Sequence, residues 1–121
     1  MKIEVGSFTL NSNPYTFYFD DATLQAKAIV FVSGKDSSTG TNLSIGISDG
    51  ANERCISTLY DTSKKTDFAT QAVLHYLNVS GTPTVKLNAT GVDLSVAGEC
   101  TIGTVSNYDA TIPIMYIVIG E

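Results

Sequence analysis

The sequence predicts an all-β fold, one antiparallel β-sandwich (jelly-roll-like) forming a single domain over residues 1–121. Three observations lead there. The longest apolar run, Thr111–Gly120 (T-I-P-I-M-Y-I-V-I-G), is rich in Ile, Val and Tyr, residues that favour extended backbone because they pack well on a pleated surface. Short alternating segments of about five to eight residues recur at roughly ten-residue intervals between turn signals, the pattern of a sandwich or barrel. Ser, Thr, Gly and Asn are plentiful, while Lys and Glu are sparse. That palette suits polar strand faces and many turns.

The closing run sets the frame. Alternate strand residues point to opposite faces, and here both sets are apolar: Ile112, Ile114, Tyr116 and Val118 on one side, Met115, Ile117 and Ile119 on the other. The run therefore reads as an interior strand, covered by core on one face and by core or a partner subunit on the other. Lys27–Val32 is apolar on both faces too, and the two runs are expected to sit centrally, as neighbours.

From the start, Lys2–Val5 and Ser7–Leu10 read as a short extended opening broken at Gly6. Asn11–Pro14 is a turn, since Asn and Pro supply its backbone angles. Tyr15–Phe19 alternates Tyr15, Phe17 and Phe19 against Thr16 and Tyr18, and Asp20-Asp21 ends it in solvent. Ser33–Thr41 reads as a flexible polar loop. In Asn42–Ser48 the alternation predicts Leu43, Ile45 and Ile47 inward, with Ser44, Gly46 and Ser48 outward. Asp49-Gly50 is the strongest turn signal, and with Ala51-Asn52 it predicts a hairpin into Glu53–Leu59.

Tyr60–Asp67 reads as a second exposed loop. Phe68–Val79 fits either a helix with a Val73, Leu74, Leu77 stripe or a half-buried strand. Strand is favoured for Gln71–Val79 because its neighbours are strands. Thr84–Asn88 and Val92–Val96 read as two strands separated at Thr90-Gly91, with Val85, Leu87, Val92, Leu94 and Val96 inward. Cys100–Val105 and the turn Ser106–Asp109 lead to the closing strand.

A net charge of −5 with one arginine, Arg54, argues against gripping phosphates, which takes clustered Lys or Arg. The pair Lys64-Lys65 is offset by Asp61 and Asp67. Nucleic acid and anionic membranes are therefore not expected partners. No apolar run reaches transmembrane length and the opening residues lack the apolar core of a signal peptide, so a soluble, cytosolically made chain is expected. Cys55 and Cys100 are then two reduced strand residues. A bond between them would need adjacent strands, which spacing does not show.

No constellation carries chemistry, and no catalytic, cofactor or metal residue is predicted. His75 is the lone histidine, and a zinc site wants three or four ligands at close spacing. The aspartates Asp20, Asp21, Asp36, Asp49, Asp61 and Asp67 lie in predicted loops without a calcium-loop pattern. Asp93 and Glu99 form no recognisable glycosidase pair. Tyr15, Tyr60 and Tyr108 are the residues a sugar could stack on.

Four stretches taken in order carry a resemblance: I-E-V-G-S-F-T (Ile3–Thr9), K-A-I-V-F-V-S (Lys27–Ser33), L-S-I-G-I-S-D-G (Leu43–Gly50) and Y-I-V-I-G (Tyr116–Gly120). This order resembles small β-sandwich virion proteins and tail modules of tailed bacteriophages, with their P-K-A-V-I-F, S-I-G-F-A-D-G and Y-L-A-I-G-G strands. The chain departs from that pattern at Gln25-Ala26, where Pro usually precedes the Lys, and at Glu121, where Gly usually ends it. The resemblance implies a structural virion component and no enzyme. The first expectation is a capsid decoration (cement) protein on the capsid surface, binding across subunits of the major capsid protein and associating with itself as a homotrimer. The alternative is a host-recognition or carbohydrate-binding module of a tail fibre or baseplate. Residues 1–10 are expected to form an arm that adds a strand to a capsid sheet or a neighbouring subunit, with Met1, Lys2, Ile3, Glu4 and Val5 as its partner-binding residues and Gly6 as its hinge.

Overall fold

The computed structural model describes residues 1–37, 40–60, 64–69, 74–77, 86–106, 108 and 110–121, with only the strand backbone described within 35–42 and 59–88. Ten strands lie among these residues: β1 (Lys2–Phe8), β2 (Tyr15–Tyr18), β3 (Ala26–Ser37), β4 (Gly40–Ser48), β5 (Glu53–Tyr60), β6 (Lys64–Ala69), β7 (Leu74–Leu77), β8 (Lys86–Asp93), β9 (Glu99–Ser106) and β10 (Ile114–Gly120). They form two antiparallel sheets, a six-stranded one in the order β1-β10-β3-β4-β5-β6 and a four-stranded one in the order β2-β9-β8-β7. The sheets pack face to face, and the all-β sandwich predicted from sequence is the fold. Strands β3 to β6 run as a meander in the large sheet and β7 to β9 in the small one.

β10 is an interior strand between β1 and β3, as its two apolar faces predict. Its inner set, Ile114, Tyr116 and Val118, is buried together with Ile29 and Phe31 of β3. From the small sheet come Phe17, Ala89, Val92, Cys100, Ile102 and Val105. An aromatic cluster fills the centre. Phe8 stacks on Phe17 with ring centroids 4.2 Å apart, Phe31 meets Phe8 edge-on at 6.0 Å, and Tyr116 lies 5.0 Å from Phe17. Stacked and edge-on arrangements are those the ring quadrupoles favour.

Several expected boundaries move. β1 runs unbroken through Gly6. A Cβ at Gly6 would meet the Tyr116 ring at 2.5 Å, so the glycine makes room for a core aromatic and is not a hinge. The predicted Ser33–Thr41 loop is largely strand, with Ser33–Ser37 paired to Gly40–Ser44. Propensity reads its Ser, Gly and Asp residues as loop, but hydrogen bonding along the β3–β4 ladder overrides it. β5 and β6 likewise extend into the Tyr60–Asp67 stretch, with Tyr60 opposite Lys64. Of Gln71–Val79, residues 74–77 form β7 and the remainder lies outside the described residues, as does Val85.

β8 is continuous through Thr90-Gly91. Gly91 takes a left-handed φ of 73° opposite the second glycine, Gly103. β8 ends at Asp93; the inward alternation of Val92 and Leu94 carries one residue past it and no further, and Val96 is exposed. The Asp49–Asn52 hairpin forms as predicted. Gly50 has φ 87°, and Asp49 Oδ1 accepts from the N–H groups of Ala51 and Asn52 at 2.9 and 2.7 Å.

The largest correction concerns β4. Ser44, Gly46 and Ser48 are buried, while Leu43, Ile45 and Ile47 are exposed. Period-two alternation separates the two sets but cannot say which faces the core. Pairing with β3 decides it: Ile45 lies opposite Val32 and Ile47 opposite Val30. Those valines are on the outer face because Ile29 and Phe31 take the inner one.

Candidate interaction face

The outer face of the six-stranded sheet is apolar across β1, β10, β3, β4 and β5. Directly opposed residues share a face, so the register reads out its rows. One row crosses Met115, Val32, Ile45 and Ile56 on β10, β3, β4 and β5. The next crosses Val5, Ile117, Val30 and Ile47, ending on Arg54. A shorter row adds Ile3 and Ile119, and Leu43 lies opposite Thr58 on the far side. Eight of these side chains, Ile3, Val5, Leu43, Ile45, Ile47, Ile56, Met115 and Ile117, are 42–67% exposed. Scattered exposed apolar residues are ordinary, but a contiguous patch of several hundred Å² marks a contact surface.

The opposite face of β4 and β5 is small and polar. Ser44, Ser48, Cys55 and Ser57 are buried there. The Ser44 hydroxyl and Cys55 thiol are 3.1 Å apart, and Ser48 Oγ accepts from the Gly50 N–H at 3.0 Å. Such pairing offsets the cost of burying a hydroxyl. Ser57 Oγ has no hydrogen-bond partner among the described residues.

The five residues expected to bind a partner divide between two roles. They form the edge strand of the chain's own sheet, from Lys2 opposite Gly120 to Val5 opposite Ile117, rather than a separate arm. Ile3 and Val5 belong to the outer apolar face, and Met1 is exposed at its end. Lys2 and Glu4 bind within the chain. Lys2 Nζ pairs with Asp21 at 2.7 Å. Glu4 Oε1 accepts from the Asp20 N–H at 2.8 Å and the Tyr116 hydroxyl at 2.9 Å, and Oε2 accepts from the Asp21 N–H at 3.1 Å. This clamp ties the edge strand to the loop that follows β2. The pair Asp20-Asp21, expected as a solvated strand end, is thus anchored through its backbone.

Four carboxylates, Glu4, Asp21, Asp49 and Asp93, are held by structural contacts. Burial pushes the Glu4 carboxyl up, but hydrogen bonds from Asp21, Asp20 and Tyr116 together bring it below its ordinary value. Lys2, then Thr23, hold Asp21 well below the carboxylate range. The Asn52 and Ala51 N–H groups lower Asp49 to about 2, and Ser95 lowers Asp93. Burial, with the charges of Asp93 and Glu53 behind it, pushes the Cys100 thiol up to about 12. Burial and the bond to Glu4 raise the Tyr116 phenol. Both cysteines are buried, on strands of different sheets. His75 falls in β7, with its side chain outside the described residues. Among the described residues no three His, Cys, Asp or Glu groups come together to hold a metal, and no helix is long and apolar enough to cross a membrane.

Sequence reasoning named Ile3 and Val5 only as residues of a strand-adding arm and read the outer set of β10 as covered by core or a partner, while it placed Leu43, Ile45 and Ile47 in the core and did not single out Ile56. The missed signal was the small size of the alternate set, Ser44, Gly46, Ser48, Cys55 and Ser57, beside a β3 strand already apolar on both faces. No family model, no curated protein and no solved structure matches the chain.

Proposed function

We propose that this chain is a structural assembly subunit, a virion decoration protein of the kind found on tailed-phage capsids, which acts by binding surfaces and not by bond chemistry. The outer apolar face carries the reading: a sandwich that keeps eight exposed apolar side chains together on one sheet face is built to be covered. The resemblance of the β1, β3, β4 and β10 segments to phage virion strands supplies the setting, with the major capsid protein as partner. The engagement of Glu4, Asp21, Asp49 and Asp93 in turns and clamps supports a structural use of the charged groups.

The mechanism is linkage. A protein that binds the assembled shell and not its separate subunits stabilises the shell by its binding free energy, about 3–4 kcal/mol at 100–1,000 times the dissociation constant. Each decorated junction repeats that gain.

Density-gradient sedimentation of virus particles from cells that produce the chain tests this. The protein should co-sediment with assembled shells and raise the temperature at which they open. Absence from the shells, together with binding to host cells or glycans, would replace decoration by the tail-module reading.

A further inference from the structure

The occupant of the outer sheet face can be named more closely, on the footing that the chain is an assembly subunit. We propose that a second copy of the same chain covers this face, sheet on sheet across a two-fold axis. The shape comes first. The two long rows cross β10, β3 and β4 on a pleated surface, and such surfaces pack face to face about 10 Å apart with their side chains interdigitated. The complement of a pleated aliphatic face is another of the same kind, and every copy of this chain carries one.

Area agrees. The eight side chains are about half exposed. At ~200 Å² for a fully exposed aliphatic residue they offer on the order of 800 Å², which is what each partner contributes to a standard-size interface. Homodimer interfaces are also the more apolar kind.

Charge points the same way. Although the chain carries −5 overall, the only ionisable side chain in the two long rows is Arg54, at the β5 end of one of them. A two-fold contact centred on Val30 and Val32 therefore brings no like charges of these two rows together. Symmetry favours pairs over the trimer that the resemblance implies. One self-complementary patch closes a dimer, while a three-fold ring needs two different patches. Among the described residues the other exposed apolar ones, Met1, Tyr18, Val96 and Tyr108, lie outside these rows.

Sedimentation equilibrium on the purified full chain at micromolar concentration should give the dimer mass. Ile45→Asp and Ile117→Asp should give monomers with an unchanged circular-dichroism spectrum. A milder Val5→Thr, Ile47→Thr double variant, which keeps β-branched shape, should weaken the dimer by about tenfold or more. A monomeric or trimeric wild type overturns the inference, as does a dimer whose affinity none of the folded variants changes. The same preparations added to undecorated shells separate the two levels. A wild-type monomer whose face variants lose shell binding leaves the assembly reading standing with the shell as occupant. A dimer that never joins shells keeps the inference and removes the virion setting.

Discussion

The two halves of the six-stranded sheet share one outer face and differ in what lies beneath it. Under β1, β10 and β3 the inner positions hold Phe8, Tyr116 and Phe31, packed on Phe17 and Phe19 from β2 and its exit. Under β4 and β5 they hold Ser44, Gly46, Ser48, Cys55 and Ser57. The outer surface crosses from one half to the other without a break in its aliphatic character. Apolar residues therefore stabilise the fold from the inside in the first half, and in the second they are kept for the outside. A domain whose only task was to stay folded would gain by turning Ile45 and Ile47 inward, since burying such a side chain contributes about 1.5–3 kcal/mol. Holding them outward is the observation on which the proposed contact function rests.

Five variants sharpen or break this contrast. Phe31→Ala should cost about 3–5 kcal/mol in denaturant melts, from lost burial plus the cavity left behind. Ile45→Thr, measured at dilution where no dimer persists, should cost less than about 1 kcal/mol. Equal costs would mean that the inner and outer sets are misassigned.

Gly6→Ala should cost about 1–3 kcal/mol, because the new methyl must displace the Tyr116 ring packed against that backbone. A neutral result would show that β1 is not roofed over this ring.

Glu4→Gln should cost about 1–2 kcal/mol, since three donors lose a charged acceptor. Its pH dependence has a fixed sign. The folded carboxyl titrates below its unfolded value, so its contribution is complete above the unfolded value and disappears as pH falls through the folded one. The wild-type advantage over Glu4→Gln should therefore shrink in acid, and an advantage that grows there would refute the clamp.

Ser57→Ala should be the smallest effect, within about 1 kcal/mol and in the stabilising direction, because it removes a buried hydroxyl with no partner among the described residues. A clear loss of stability would reveal a partner for that oxygen.

Much of the architecture was legible in the residues. The two-sided apolar runs at Lys27–Val32 and Thr111–Gly120 gave the central pair, and β10 does lie against β3. Tyr15–Phe19 alternates as read, with Phe17 and Phe19 buried and Tyr18 exposed, and Asp49-Gly50 marks its hairpin. Loop boundaries were less legible, because the Ser, Gly and Asp residues of the β3–β4 hairpin have loop propensity while the ladder holds them extended. Half of the candidate face was visible in Ile3, Val5 and the outer set of β10. The half on β4 and β5 was not, because alternation does not tell which side water takes.

The sequence by itself determined that the chain is extended, that its strands are two-sided, and which residues travel together on a side, because the side-chain period of a strand is two whatever its surroundings. Only the tertiary structure decided which side became the interior. Phe31 and Tyr116 claim the space between the sheets, their register with β4 turns Ile45 and Ile47 away from it, and an isolated strand contains no information about either neighbour.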